Sequence, residues 1–192
     1  MRSRSSHPMR SLAALAAAAA TLGAAALTLA GASAAPAGAA TPACTDAGLV
    51  IWLDTTGNGA AGSFYYDLEF TNLSGHACTL TGYPGVSGLD LAGRQLGSAA
   101  IRNPQHKPSV ITLASATAPN TAGTMATVVL RITDVLNYPS STCKPVTAAG
   151  LRVYAPGQTA STVIPFPFDA CSRSGPAYLS VEAVQKGVIP QG

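Results

Sequence analysis

The stretch "SFYYDLEFTN", Ser63 to Asn72, decides the fold. Phe64, Tyr66, Leu68 and Phe70 fall on one side of an extended chain, and Ser63, Tyr65, Asp67, Glu69 and Thr71 on the other. Successive side chains of a strand point to opposite faces, so this alternation predicts a strand with one face on a core and one in water. Just before it, "AGLVIWLD" (Ala47 to Asp54) is nearly all apolar and predicts a strand covered on both faces. The two are joined by "TTGNGAAG" (Thr55 to Gly62), which reads as turn material.

Further short segments continue the pattern toward the C-terminus. "GVSGLDLAGRQLG" (Gly85 to Gly97) predicts a hairpin bending at Ala92-Gly93, and "SVITL" (Ser109 to Leu113) a strand. "TMATVVLRIT" (Thr124 to Thr133) places Ala126, Val128, Leu130 and Ile132 inward and Thr127, Arg131 and Thr133 outward. "GLRVYA", "TVIPFPF" and "AYLSVEAV" complete the set. Pro165 and Pro167 share one side of their strand, where their missing N–H groups can face solvent, which places that strand at a sheet edge. Seven to eight short strands separated by turn signals, with no helical crossover, predict an all-β fold: an antiparallel, Greek-key-like β-sandwich. A closed barrel is the alternative.

The N-terminus reads differently. "MRSRSSHPMR" is basic, Ser11 to Ala30 carries no charge, and Ala32-Ser33-Ala34 offers small residues for cleavage. This is the pattern of a secretory signal peptide over residues 1–34, with an uncleaved anchor as the rival because the apolar run is long enough to span a bilayer. A flexible lead (35–43), a sandwich domain (44–186) and a short tail (187–192) follow. Arg2, Arg4 and Arg10 account for the whole formal charge of +3, so the remaining chain is balanced. No basic patch survives to attract nucleic acid or an anionic membrane.

The chain has four cysteines, which allow three pairings. Cys44 precedes the first predicted strand and Cys78 follows the second; Cys143 and Cys171 bracket the "GLRVYA"/"TVIPFPF" hairpin in the same way. The outer ends of a hairpin lie side by side, near enough for a bridge, which favours Cys44–Cys78 with Cys143–Cys171. Cys78 then clamps the first hairpin, and Gly82, Pro84 and Gly85 turn the chain away, with Tyr83 capping the edge of the core.

"TNLSGHACTLTGYPGV" (Thr71 to Val86), "GRQLG", "CKPVTAAGLRVYAPGQ" (Cys143 to Gln158) and the closing "CSRSG" and "LSVEAVQ" resemble the domain-of-unknown-function family 4232, secreted actinobacterial proteins. The resemblance runs from Cys44 to about Gly187. It departs from the family at "LASATAPNTAG", which is longer and carries Pro119-Asn120. The resemblance implies the fold and secretion, and it supplies no active site.

Few residues of the chain are spaced to carry chemistry. "GVSGL" places its second glycine one position too early for a nucleophile elbow. Ser141 and Lys144 fit Ser-x-x-Lys but sit in a predicted loop beside a bridged cysteine. His76, His106 and Met125 lack a metal-binding spacing. Asp67 and Glu69 share a strand face as a carboxylate pair would, yet read as its wet side; of Trp52, Tyr65 and Tyr66, only Tyr65 is expected to be exposed, which argues against an aromatic platform for sugars. Asn72 opens an Asn-x-Ser sequon that is not expected to be modified in a bacterial chain.

The expectation is therefore a secreted, extracellular, non-catalytic module without cofactor or metal, released rather than anchored, that binds an unidentified extracellular or cell-wall partner. A structural or accessory protein, a hydrolase with a non-standard site, and a copper or zinc carrier are the alternatives. Two proline-stiffened loops, "TGYPGV" and "IRNPQHKP", supply Tyr83, Arg102, His106 and Lys107 as a candidate partner surface, provided they meet at one end of the sandwich. The alternative is that Tyr83 only caps the core and Arg102 pairs with a carboxylate. Intact-mass measurement of exported protein should give a chain starting near Ala35 and no alkylatable thiol; retention of Ala20, or two reactive thiols, would contradict the reading.

Overall fold

The computed structural model describes residues 40–117 and 123–187. The expected signal peptide, residues 35–39 of the lead, the Pro119-Asn120 loop and tail residues 188–192 lie outside the described residues. The strands are β1 (Leu49–Ala60), β2 (Ser63–Asn72), β3 (Cys78–Leu80), β4 (Gly85–Leu89), β5 (Gln95–Leu96), β6 (Ile101–Arg102), β7 (Ile111–Leu113) and β8 (Met125–Thr133). A one-turn helix, α1 (Ser140–Cys143), leads into β9 (Pro145–Tyr154), β10 (Ser161–Cys171), β11 (Leu179–Val181) and β12 (Gln185–Lys186). The count exceeds the expected seven to eight because several of these are two- or three-residue pairings within segments read as loops.

One sheet has the order β1-β2-β8-β11-β6, with β12 also paired to β8; the other has the order β10-β9-β4-β5; β3 and β7 form a ribbon. Both sheets have open edges, so the layers form a sandwich and not a barrel. Non-consecutive neighbours (β2 beside β8, β4 beside β9) make the long connections of a Greek-key-like path. Every strand pairing described is antiparallel except β6 with β11, a short parallel contact at the end of the first sheet. Leu68, Phe70, Val128 and Leu130 of the first sheet pack with Val86, Leu151 and Val153 of the second to form the core.

The β1–β2 hairpin corrects two expectations. "TTGNGAAG" is not a loop: β1 runs on to Ala60, and only Ala61 and Gly62 turn, at φ +49° and +70°. Two successive left-handed residues match the twist of a two-residue hairpin, and glycine adopts that conformation without Cβ strain. Between the Asp54–Asp67 and Asn58–Tyr65 pairs β1 takes a longer path than its partner, held by Thr56 N–H donating to Asp54 Oδ1 at 2.8 Å. Gly57 lets that path pass the Tyr66 ring, where a Cβ would come within 2.4 Å of Cε1. β1 is also not covered on both faces; it is an edge strand, so Leu49 and Leu53 are buried while Val50 is exposed.

The alternation of β2 places Leu68 and Phe70 in the core, but Phe64 is 48% exposed. It stands at the hairpin end, where the second sheet presents only its edge strand β10. The opposite face of β2 is the larger departure: Asp67, Glu69 and Thr71, expected in water, are buried, as are Thr127 and Thr133 on β8. Strands flanked on both sides carry same-face neighbours on both sides, and long side chains there shield one another. In register, Trp52, Glu69, Thr127 and Gln185 form one such row across β1, β2, β8 and β12. Pro165 and Pro167 lie on β10, the edge strand of its sheet.

Cys44–Cys78 and Cys143–Cys171 are disulfide-bonded, with Cα atoms 4.8 and 4.6 Å apart. The second closes the β9–β10 hairpin, where Cys171 pairs with Pro145. The first differs in detail from the expected clamp. Cys78 opens the separate strand β3 after the Leu73–Ala77 turn, and the lead is laced to it by Cys44 N–H donating to Thr79 O at 2.8 Å and Thr79 N–H donating to Pro42 O at 2.7 Å. With sequence separations of 34 and 28 residues, each bridge stabilises by about 3–4 kcal/mol in the chain-entropy model.

Asn72 is fully buried and is the hub of this corner. Its Nδ2 donates to the carbonyls of His76 (2.8 Å), Leu113 (3.2 Å) and Ala114 (3.2 Å), and its Oδ1 accepts from Ser74 N–H (3.0 Å) and Ser74 Oγ–H (2.7 Å). The sequon asparagine thus joins the end of β2 to the turn before β3 and to β7. Asn72→Asp keeps the shape but sets a carboxylate oxygen against three carbonyls. It is expected to lower stability by about 2–3 kcal/mol in urea unfolding; a loss well below 1 kcal/mol would show that the hub is dispensable.

Candidate functional site

The two loops singled out in the sequence meet. The Tyr83 hydroxyl donates to the His106 carbonyl at 3.4 Å, and the Arg102 guanidinium lies over the Tyr83 ring, 5.5 Å from its centroid. Tyr83 is half-buried under Arg102 and outside the core cluster, so it supports a cation instead of capping the core. Arg102 has no carboxylate partner among the described residues; the ion pairs there are Arg94–Asp90 and His106–Glu182. Lys107 is exposed beside His106.

β11 and the segment after it position the other half of the cluster. Parallel pairing of Val181 with Arg102 brings Glu182 alongside the 102–106 loop. Glu182 Oε2 lies 2.8 Å from His106 Nδ1, Asn103 Nδ2 donates to Glu182 Oε1 at 3.4 Å, and Gln185 Nε2 lies 3.2 Å from His106 Nδ1. Val184 N–H donates to the Gly82 carbonyl at 2.9 Å and fixes the Tyr83 corner from the same side. Sequence reading missed Glu182 and Gln185, because "SVEAVQ" reads as an ordinary strand. A carboxylate on an apolar strand was the available signal.

The other candidate residues are placed apart. Ser141 lies in α1, not in a loop, because Pro139 starts a turn in which Cys143 N–H and Thr142 N–H both donate to the Pro139 carbonyl. Lys144 then leaves that turn at φ +47°, and the Ser141 carbonyl accepts from Arg173 Nη1 at 3.2 Å. His76 sits in the exposed turn before β3, His106 in the cluster with Glu182, and Met125 is buried in β8. Among the described residues no group of three or more His, Cys, Asp or Glu is placed to hold a metal ion. Trp52 and Tyr65 point to the outer face of the first sheet and Tyr66 to the inner, so they make no common platform; Tyr65 is half-buried rather than exposed.

The outer face of β1 and β2 carries Asp54 directly opposite Asp67, with Glu69 next on the same face. Glu69 is 2% exposed, and its carboxyl is pushed up to about 7 by burial, then by the Asp54 and Asp67 charges. Asp54 moves the other way, held below the usual carboxylate range by hydrogen bonds from the Thr56 backbone and side chain. Glu69 Oε2, Trp52 Nε1 and Thr71 Oγ1 are buried without hydrogen-bond partners among the described residues. A pair of carboxyls driven apart in acidity is the signature of acid–base chemistry. Here the raised member is enclosed, so its protonation bears on stability. Folded Glu69 binds its proton more tightly than the unfolded chain, whose carboxyl titrates near 4.5. Its contribution is therefore full at pH below 4.5 and is lost as pH rises through about 7. The free energy of unfolding should fall between pH 5 and pH 8, by at most about 3 kcal/mol, and Glu69→Gln should flatten that dependence. An identical slope in the variant would place the pH response elsewhere.

The fold and the bridges define a disulfide-reinforced all-β sandwich, of a kind found in oxidising compartments. The chain belongs to the DUF4232 family: the model of this domain of unknown function matches residues 44–185. No curated protein and no solved structure matches it. Among the described residues no helix is long and apolar enough to cross a membrane.

Proposed function

We propose that the chain is a secreted, non-catalytic binding module whose recognition surface is the Tyr83–Arg102–His106–Lys107 cluster. The observation that carries this reading is the Arg102 guanidinium, stacked on Tyr83 and paired with no carboxylate among the described residues. Such a group is oriented by the ring while its N–H donors stay available, and its planar fork suits a carboxylate or phosphate. Lys107 adds a second exposed cation, while Glu182 is already engaged by His106 and Asn103. The partner is accordingly an anionic extracellular or cell-wall polymer. Proline on both sides of His106 and the Tyr83 hydrogen bond hold the loops in place, which reduces the ordering cost of binding.

Sedimentation with isolated actinobacterial cell walls tests the reading. Binding should saturate, weaken with salt, and drop at least about tenfold, or 1.4 kcal/mol, in the Arg102→Ala/His106→Ala double variant. The melting temperature should stay within a few degrees. Unchanged wall binding in the folded variant, or no saturable binding by the parent, would refute it.

A further inference from the structure

A second surface lies by the other end of β8. The partner-loop cluster borders the β8 segment near Thr127, through Gln185, whereas a cleft of about 330 Å³ opens beside Ile132 and Thr133. Phe64, Tyr66, Phe166, Phe168 and Leu136 form its apolar walls. Two of these apolar groups are unusually open for their size, with Phe64 48% and Leu136 82% exposed. We propose that this cleft binds a small amphipathic organic cation.

The aromatic wall is built in advance of any ligand. Tyr66 meets Phe166 edge to face at 5.0 Å, Phe166 stacks on Phe168 at 6.0 Å, and Phe168 stacks on Tyr178 at 6.4 Å. Tyr178 anchors the ladder in the core, fully buried, with its hydroxyl donating to the Leu96 carbonyl at 2.8 Å. The opposite rim is tied to the β1–β2 hairpin. Asp134 N–H and Asn137 Nδ2 both donate to the Gly62 carbonyl, at 2.9 and 2.8 Å, and Asp134 Oδ1 accepts from Leu136 N–H at 2.9 Å.

The charge of the ligand follows from the lining. The two charged residues there, Asp134 and Asp169, are both acids, and the aromatic faces are themselves electronegative. An anion meets repulsion from both acids and from the ring faces. A cation with an apolar body meets ring faces and carboxylates together. The volume lies at the lower end of the range for small-ligand pockets. A peptide strand is disfavoured, because Pro165 and Pro167 remove N–H groups that an added strand would need from β10.

NMR titration of the protein with phenyltrimethylammonium and with its neutral isostere tert-butylbenzene tests the assignment. The cation should shift the Phe166 and Phe168 ring signals and bind about tenfold more tightly than the isostere. Asp169→Asn should weaken the cation and leave tert-butylbenzene unchanged; Phe166→Ala should weaken both. Equal affinity for the two probes, an unaltered cation affinity in Asp169→Asn, or no ring shifts at millimolar cation would overturn it. Cell-wall binding through Arg102 is read separately, so either reading can fail without the other.

Discussion

The ladder between β2 and β8 is the constraint on which the rest depends. Nine residue pairs, from Ser63–Thr133 to Thr71–Met125, lock the two strands in register. Side chains alternate with a period of two, so that register alone decides which residues reach the core. It sets Leu68 against Val128 and Tyr66 against Leu130 on the inner face, and it commits Asp67, Glu69 and Thr127 to the outer one. β8 also carries β11 and β12, and through β11 the pairing with β6 that brings the 102–106 loop alongside Glu182. A slip of one residue would expose the core and dissolve both surfaces at once.

Much of this was legible in the sequence. The alternation in "SFYYDLEFTN", the paired prolines of β10 and the hairpin bend at Ala92-Gly93 are local signals, and local geometry follows them: Gly93 N–H donates to the Asp90 carbonyl at 3.0 Å. What was not legible depends on neighbours distant in the chain. The burial of Glu69 follows from where β1, β8 and β12 lie, and no window around Glu69 contains them. "AGLVIWLD" misled for the same reason, since an apolar run does not say whether its strand is central or at an edge. Tyr83, Arg102 and His106 could be nominated as stiff, polar loop residues; that they touch depends on β6 joining β11 in parallel, which local patterning does not encode.

The two surfaces differ in construction. Around Arg102 the functional groups come from loops, stiffened by Pro104 and Pro108 and tied by the Tyr83 hydrogen bond. The cleft at Phe166 is walled by strand side chains continuous with the core through Tyr178, and it suits a compact ligand of fixed shape. One sandwich thus carries a loop-built face and a strand-built one on the same β8 ladder.

The bridges join consecutive cysteines, Cys44 with Cys78 and Cys143 with Cys171, and neither loop encloses the other. For a chain threaded across a membrane from its N-terminus, this order has a simple consequence. Cys44 meets Cys78 before Cys143 has emerged, and Cys143 then meets Cys171 when no other free thiol is left. A strictly sequential oxidant therefore makes the native pairs at the first attempt. A sandwich exported in this way would need no isomerase to correct its pairing.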